Sequence, residues 1–176
     1  MSTIQSTSNK ATAQLFEVAN AGGPIDGVRA AMLGHANINA TDTNGYTPLM
    51  IATLKDKDGS HTDIIIELLA HGADPNIVDA TGYTPLHIAV MKKNKNVVKE
   101  LLKRRAKADV KSISGSTALS LSKQPQFKNK EIHAALCKVS GENGSCIIMG
   151  GKRRRNRTNK KTRKANKKRH TVRRRR

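Results

Sequence analysis

Aromatic side chains are almost absent: the 176 residues contain Phe16, Phe127, Tyr46 and Tyr83 and no Trp. A core must therefore be aliphatic, and a platform that stacks bases, as in single-strand nucleic-acid readers, is disfavoured. Cysteine is equally scarce. Cys137 and Cys146 are too few for a disulfide framework and lack a second pair for zinc, so reduced thiols are expected. No apolar run approaches the roughly 18 residues of a membrane helix, and the opening Met1 to Ser6 lacks the charged-then-apolar pattern of a signal peptide. These absences point to a soluble intracellular protein with no membrane partner. Catalytic signatures are missing too: there is no phosphate-cradling glycine loop, no Gly-x-Ser-x-Gly elbow and no His-Glu-x-x-His string. A non-enzymatic role without cofactor or metal is the expectation.

What is abundant is positive charge, and it is unevenly placed. The chain carries 33 Lys and Arg against 13 Asp and Glu, a net charge of +20. Residues 152–176 hold 16 of the basic residues and no acid, which leaves 17 against 13 for residues 1–151, or +4. A near-neutral body of single-domain size thus precedes a cationic tail.

The body repeats itself. Asp42-Thr43-Asn44-Gly45-Tyr46-Thr47-Pro48-Leu49 returns 37 residues later as Asp79-Ala80-Thr81-Gly82-Tyr83-Thr84-Pro85-Leu86. A weaker third copy, Gly115-Ser116-Thr117-Ala118-Leu119, follows after another 33. Apolar stretches at helical spacing lie behind the copies, Ile64 to Leu69 and Val97 to Leu102. Each unit reads turn, helix, helix. Thr47 and Thr84 suit the cap position, where a side-chain oxygen accepts from a free amide, and Pro48 and Pro85 suit the first helical position. Gly45 and Gly82 permit a tight turn, and Gly72 ends a second helix.

These residues resemble the ankyrin repeat, with Thr84-Pro85-Leu86-His87-Ile88-Ala89 as an unbroken match and Gly72-Ala73-Asp74-Pro75-Asn76 closing the preceding unit. Ala36-Asn37-Ile38-Asn39 closes an earlier, degenerate unit. The resemblance implies an all-α solenoid of helix-turn-helix units with short β-turn or hairpin connections. The units span about 11–41, 42–78, 79–111 and 112–138, between a flexible N-terminus (1–10) and a linker (139–151). Departures from the pattern are informative. The first clear repeat has four extra residues in Lys55 to Asp63, expected as a solvent loop; its carboxylates lack the spacing of a calcium-binding loop. Arg105-Ala106-Lys107 stands where Gly-Ala-Asp belongs, so strain is expected there, and the atypical last unit should act as a cap.

The resemblance also implies a protein-binding surface on turn tips and first helices. By matching positions it comprises Thr43, Asn44, Tyr46, Leu54 and Lys55, then Ala80, Thr81, Tyr83, Met91 and Lys92, and then Ile113, Ser114 and Ser116. Tyr46 and Tyr83 are the expected anchors, against the alternative that each only covers the adjacent turn. His87 is expected to tie neighbouring units together, and His35, His61, His71 and His133 to be surface or packing residues. Lys92, Lys95, Lys99, Lys103 and Lys107 recur at three- or four-residue spacing, which makes either a solvated face or a contact for phosphates or an acidic partner.

The tail comprises Lys152, Arg153, Arg154, Arg155, Arg157, Lys160, Lys161, Arg163, Lys164, Lys167, Lys168, Arg169, Arg173, Arg174, Arg175 and Arg176. It has too little apolar area to fold alone and is expected to be disordered. Its charge suits an import receptor and a nuclear destination, or nucleic acid bound without sequence reading. A short ankyrin-like body with a Gly-Gly and a Lys/Arg/Asn/Thr tail is also similar to proteins of large DNA viruses of protists, for which the host nucleus is the implied site. The leading expectation is a monomeric protein-binding module. The alternative makes the tail primary, in a nucleic-acid-associated or packaging protein whose repeats are a scaffold.

Overall fold

The structure, a computed structural model, describes residues 2–140, with side chains from residue 7 onward. The linker beyond Ser140 and the cationic tail lie outside the described residues. Among the described residues eight α-helices form in four pairs: α1 (Ser2–Ala21) with α2 (Ile25–Leu33), α3 (Pro48–Lys55) with α4 (Thr62–Ala70), α5 (Pro85–Met91) with α6 (Lys95–Lys103), and α7 (Ala118–Lys123) with α8 (Lys130–Val139). A 3-10 turn, Pro125–Phe127, joins the last two. No strand occurs among the described residues, and the connections are tight turns closed by their own backbone hydrogen bonds, as from the Asp42 N–H to the Tyr46 carbonyl (3.0 Å) and from the Asp79 N–H to the Tyr83 carbonyl (2.9 Å).

The starts of the first helices are built as their sequence implies. Thr47 Oγ1 accepts from the Met50 N–H (3.3 Å), Thr84 Oγ1 from the His87 N–H (3.4 Å) and Thr117 Oγ1 from the Ser120 N–H (3.1 Å). Pro48 and Pro85 sit in the first turn, where a missing donor costs nothing. Second helices α6 and α8 are capped by Asn94 and Asn129, each accepting two backbone N–H groups.

Pairs stack so that α1, α3, α5 and α7 make one layer and α2, α4, α6 and α8 the other. The seam between them is aliphatic throughout. Leu49 and Leu86 are fully buried at one repeating position, with Leu119 in the same place, and Leu68, Leu101 and Leu136 fill another. A half-buried Leu or Ile exposed by unfolding one unit would find no partner, so each unit depends on its neighbours.

Three expectations require correction. The first helix begins at Ser2, inside the segment expected to be a flexible N-terminus; Ser8 Oγ donates to the His35 carbonyl (2.9 Å), and Ala11, Leu15 and Ala19 bury one face at four-residue spacing. The inserted loop is exposed at Lys57 to Ser60, as expected, but is anchored inward at Asp56 and His61. Asp56 is 1% exposed and its carboxylate accepts from the His61 N–H (3.3 Å), Thr62 Oγ1 (2.9 Å) and Asn94 Nδ2 (2.9 Å). His61 is buried with it, packed so closely on Gly22 that a Cβ there would lie 2.7 Å from the ring. Cys137 is disulfide-bonded and not a free thiol. Cys146, the chain's other cysteine, lies outside the described residues.

The strain expected at the third junction is present. Gly72 ends the α4 unit with φ +91°, and the corresponding Arg105 after α6 adopts φ +61°, a conformation that resists a Cβ.

Candidate functional site

Each turn is assembled by a short polar side chain beneath it. Asp42 Oδ1 accepts from the Asn44 and Tyr46 N–H groups (2.9 and 2.8 Å). Asp79 Oδ1 accepts from the Thr81 and Tyr83 N–H groups (2.9 and 2.8 Å) and from Thr81 Oγ1 (2.7 Å). In the third turn Ser112 Oγ accepts from a single backbone group, the Ser116 N–H (3.2 Å), and shares a hydrogen bond with Ser114 Oγ (2.9 Å).

Consecutive tips are joined through the main chain. The Ala80 N–H donates to the Asn44 carbonyl (3.1 Å), and the Ile113 N–H to the Thr81 carbonyl (3.0 Å). Gly45 and Gly82 make this approach possible: a Cβ at either would lie 2.9 Å from the backbone nitrogen of the next tip. The tips therefore form one row, held at fixed spacing.

Along that row Thr43, Asn44, Ala80, Thr81, Ile113 and Ser114 are exposed, and Ser116 is half-buried. Ile113 is 80% exposed, an apolar side chain presented to solvent at the end of the row. Leu54 and Met91, half-buried, and Lys55 and Lys92, exposed, lie at the C-terminal ends of α3 and α5, as the sequence places them. Tyr46 and Tyr83 are half-buried, and Tyr83 packs on the core with its ring 5.5 Å from that of His87. Tyr83 thus has a structural duty as well as an exposed edge.

His87 behaves as a tie between units. The Thr84 N–H donates to Nδ1 (3.2 Å), which leaves Nε2 to carry the proton and donate to the Ser116 carbonyl of the next turn (3.1 Å). Burial holds its pKa below the ordinary value, so the neutral ring is the folded form. Among the described residues no three His, Cys, Asp or Glu side chains converge to hold a metal ion.

Sequence reasoning passed over two features. Val78, just before the second turn, is 43% exposed, and an apolar residue in a loop carries no signal that distinguishes display from burial. The lysine series seen in α6 continues in α8, where Lys130 and Lys138 hold the places of Lys95 and Lys103 when the helices are aligned on Asn94 and Asn129. That signal was available in the matching Asn-Lys pairs.

No curated protein matches the chain. A family model described as Ankyrin repeats (3 copies) matches residues 15–114, from the last third of α1 through α6 to the turn before α7. The matched segment is more than half of the chain and coincides with the stacked pairs and main-chain-linked turns described above, and the protein belongs to the ankyrin repeat family.

Proposed function

We propose that the protein is a non-enzymatic binding module that grips a protein partner with its row of turn tips and the adjoining ends of α3 and α5, while the tail of residues 152–176 directs it to the nucleus or to nucleic acid. Ankyrin repeats are a protein-interaction fold, which supplies the class. The observation that carries the site is the joined row. Asn44, Ala80, Thr81 and Ile113 are locked to one another through backbone, so a partner meets a surface already ordered and loses little entropy on binding. The exposed Ile113, with the edges of Tyr46 and Tyr83, supplies apolar area flanked by small polar side chains.

The test is recovery of partners by the full chain, by a Tyr46→Ala/Ile113→Asp variant and by a chain ending at residue 151. A partner set lost with the tip variant and kept without the tail supports the module. A set kept by the tip variant and lost without the tail moves the function to the cations. That second reading, a nucleic-acid-associated protein using the repeats as a scaffold, draws its support from 16 basic residues with no acid among them. Binding through such a segment should weaken by roughly 10³ to 10⁵ between about 50 and 200 mM salt if about 6 to 10 phosphates are met.

A further inference from the structure

The outward face of the second-helix layer changes chemistry partway along the stack. The places occupied in α6 by Lys95, Lys99 and Lys103, and in α8 by Lys130 and Lys138, are held in α2 and α4 by uncharged residues with the single exception of Arg29. All five lysines are exposed, and those of α6 lie opposite the buried Val97, Val98 and Leu101. Four-residue steps put successive α6 lysines about 6 Å apart along the helix. Two are partly neutralised, Lys95 by Glu131 (3.5 Å) and Lys103 by Glu100 (2.7 Å). Lys99, Lys130 and Lys138 have no ion pair among the described residues.

The excess is regional. Residues 91–140 contain 13 basic and 3 acidic residues, or +10. Cations persist even where the backbone disfavours a side chain: Lys93 and Arg105, flanking α6, take φ +57° and +61°. A solvated face does not require either.

The composition of the face selects its partner. Protein interfaces are depleted in lysine and rely on aromatic and arginine anchors, none of which occupies these five positions. Insertion into a lipid surface needs apolar side chains beside the cations, and the outward positions of α6 offer none. Lysine as an ordered point charge suits phosphates on a regular polymer.

We propose that the lysine face of α6 and α8 is a second contact for the phosphate backbone of nucleic acid, built on the folded body, indifferent to base sequence and separate from the tail. It goes beyond the protein-binding reading and stands whether or not the tip row holds a partner.

The experiment compares the full chain with two full-length variants that carry the same charge change. One reverses the face, Lys99→Glu/Lys130→Glu/Lys138→Glu; the other reverses exposed lysines elsewhere, Lys10→Glu/Lys57→Glu/Lys111→Glu. Binding to a short labelled DNA duplex is measured across about 50 to 200 mM salt, with thermal unfolding of each protein read in parallel. Should the face variant unfold, the Lys→Gln triple at the same positions replaces it. The face variant is expected to lower the salt slope by about 3, one for each lost phosphate contact, and the control by less than about 1. Equal losses in the two variants would reduce the effect to net charge and overturn the proposal. A face variant that binds as the parent does would leave the tail as the only contact and overturn it as well. A third overturning result is face-dependent binding to phosphatidylserine vesicles with no face-dependent binding to the duplex.

Discussion

The first 90 residues carry 4 basic and 9 acidic side chains, a net charge of −5, whereas the next 50 carry +10. The two regions differ in pattern as well. The earlier one keeps the glycine stop at Gly72, the aspartates beneath its turns and an ion pair, Arg29 Nε to Glu67 Oε1 (2.7 Å), that ties α2 to α4 and holds the Glu67 carboxyl below its ordinary pKa. The later one has Arg105 and Ser112 in the places of that glycine and those aspartates, and Ala118 where Pro48 and Pro85 stand. Yet the buried positions do not change character: Leu68 becomes Leu101 and then Leu136, Ile64 becomes Val97 and then Ile132. The aliphatic seam is common to both regions, which leaves surface charge free to reverse within one fold.

The most severe way to break this comparison is to cut the seam where the regions meet. Leu86 is fully buried between α3 and α7, and Leu86→Ala should cost about 2 to 5 kcal/mol. If one seam serves both regions, hydrogen exchange in α4 and in α8 will accelerate together. Exchange that quickens in one of them alone would mean two bodies that merely adjoin.

A smaller effect comes from His87, which reaches from the third unit to the Ser116 carbonyl of the fourth. Its folded pKa lies below the ordinary 6.5, so below about that pH the unfolded chain binds a proton that the folded one resists. Its contribution is whole above pH 6.5 and is lost as the pH falls toward the lowered folded value. Denaturant titrations should show this decline in the parent. His87→Gln should lower stability by about 1 to 3 kcal/mol and remove that part of the pH dependence.

The mildest change sharpens the contrast by erasing part of it. Arg105→Gly restores the stop found at Gly72 and should raise stability by about 1 kcal/mol, relief of the left-handed strain being partly offset by glycine's entropy. A lower denaturation midpoint would show that Arg105 makes a contact worth more than the strain.

Much of the fold was legible because its instructions are local. Thr-Pro-Leu starts a helix through a cap and a missing donor, and Gly72 or its replacement Arg105 marks the end of one within a few residues. Asp56 was not legible. Lys55 to Asp63 is composed like a loop in water, and nothing nearby announces that Asn94, 38 positions away, completes the carboxylate's shell. The site divides in the same way. Tip positions follow from the repeat register, whereas the half-burial of Tyr83 depends on the His87 ring folding back beneath it. Charge polarity escaped notice because +4 over residues 1–151 averages two opposed regions.

The turns are bound to one another by main-chain atoms, with Asn44 and Thr81 lending carbonyls and Ala80 and Ile113 lending amides. Any residue but proline can offer an amide, and every residue has a carbonyl. The side chains of Asn44, Ala80 and Ile113 are thus nearly invisible to the stack, and drift at these three positions is filtered by what the protein must hold and hardly at all by whether it folds. A lineage can exchange one partner for another here by single substitutions, without passing through an unstable intermediate.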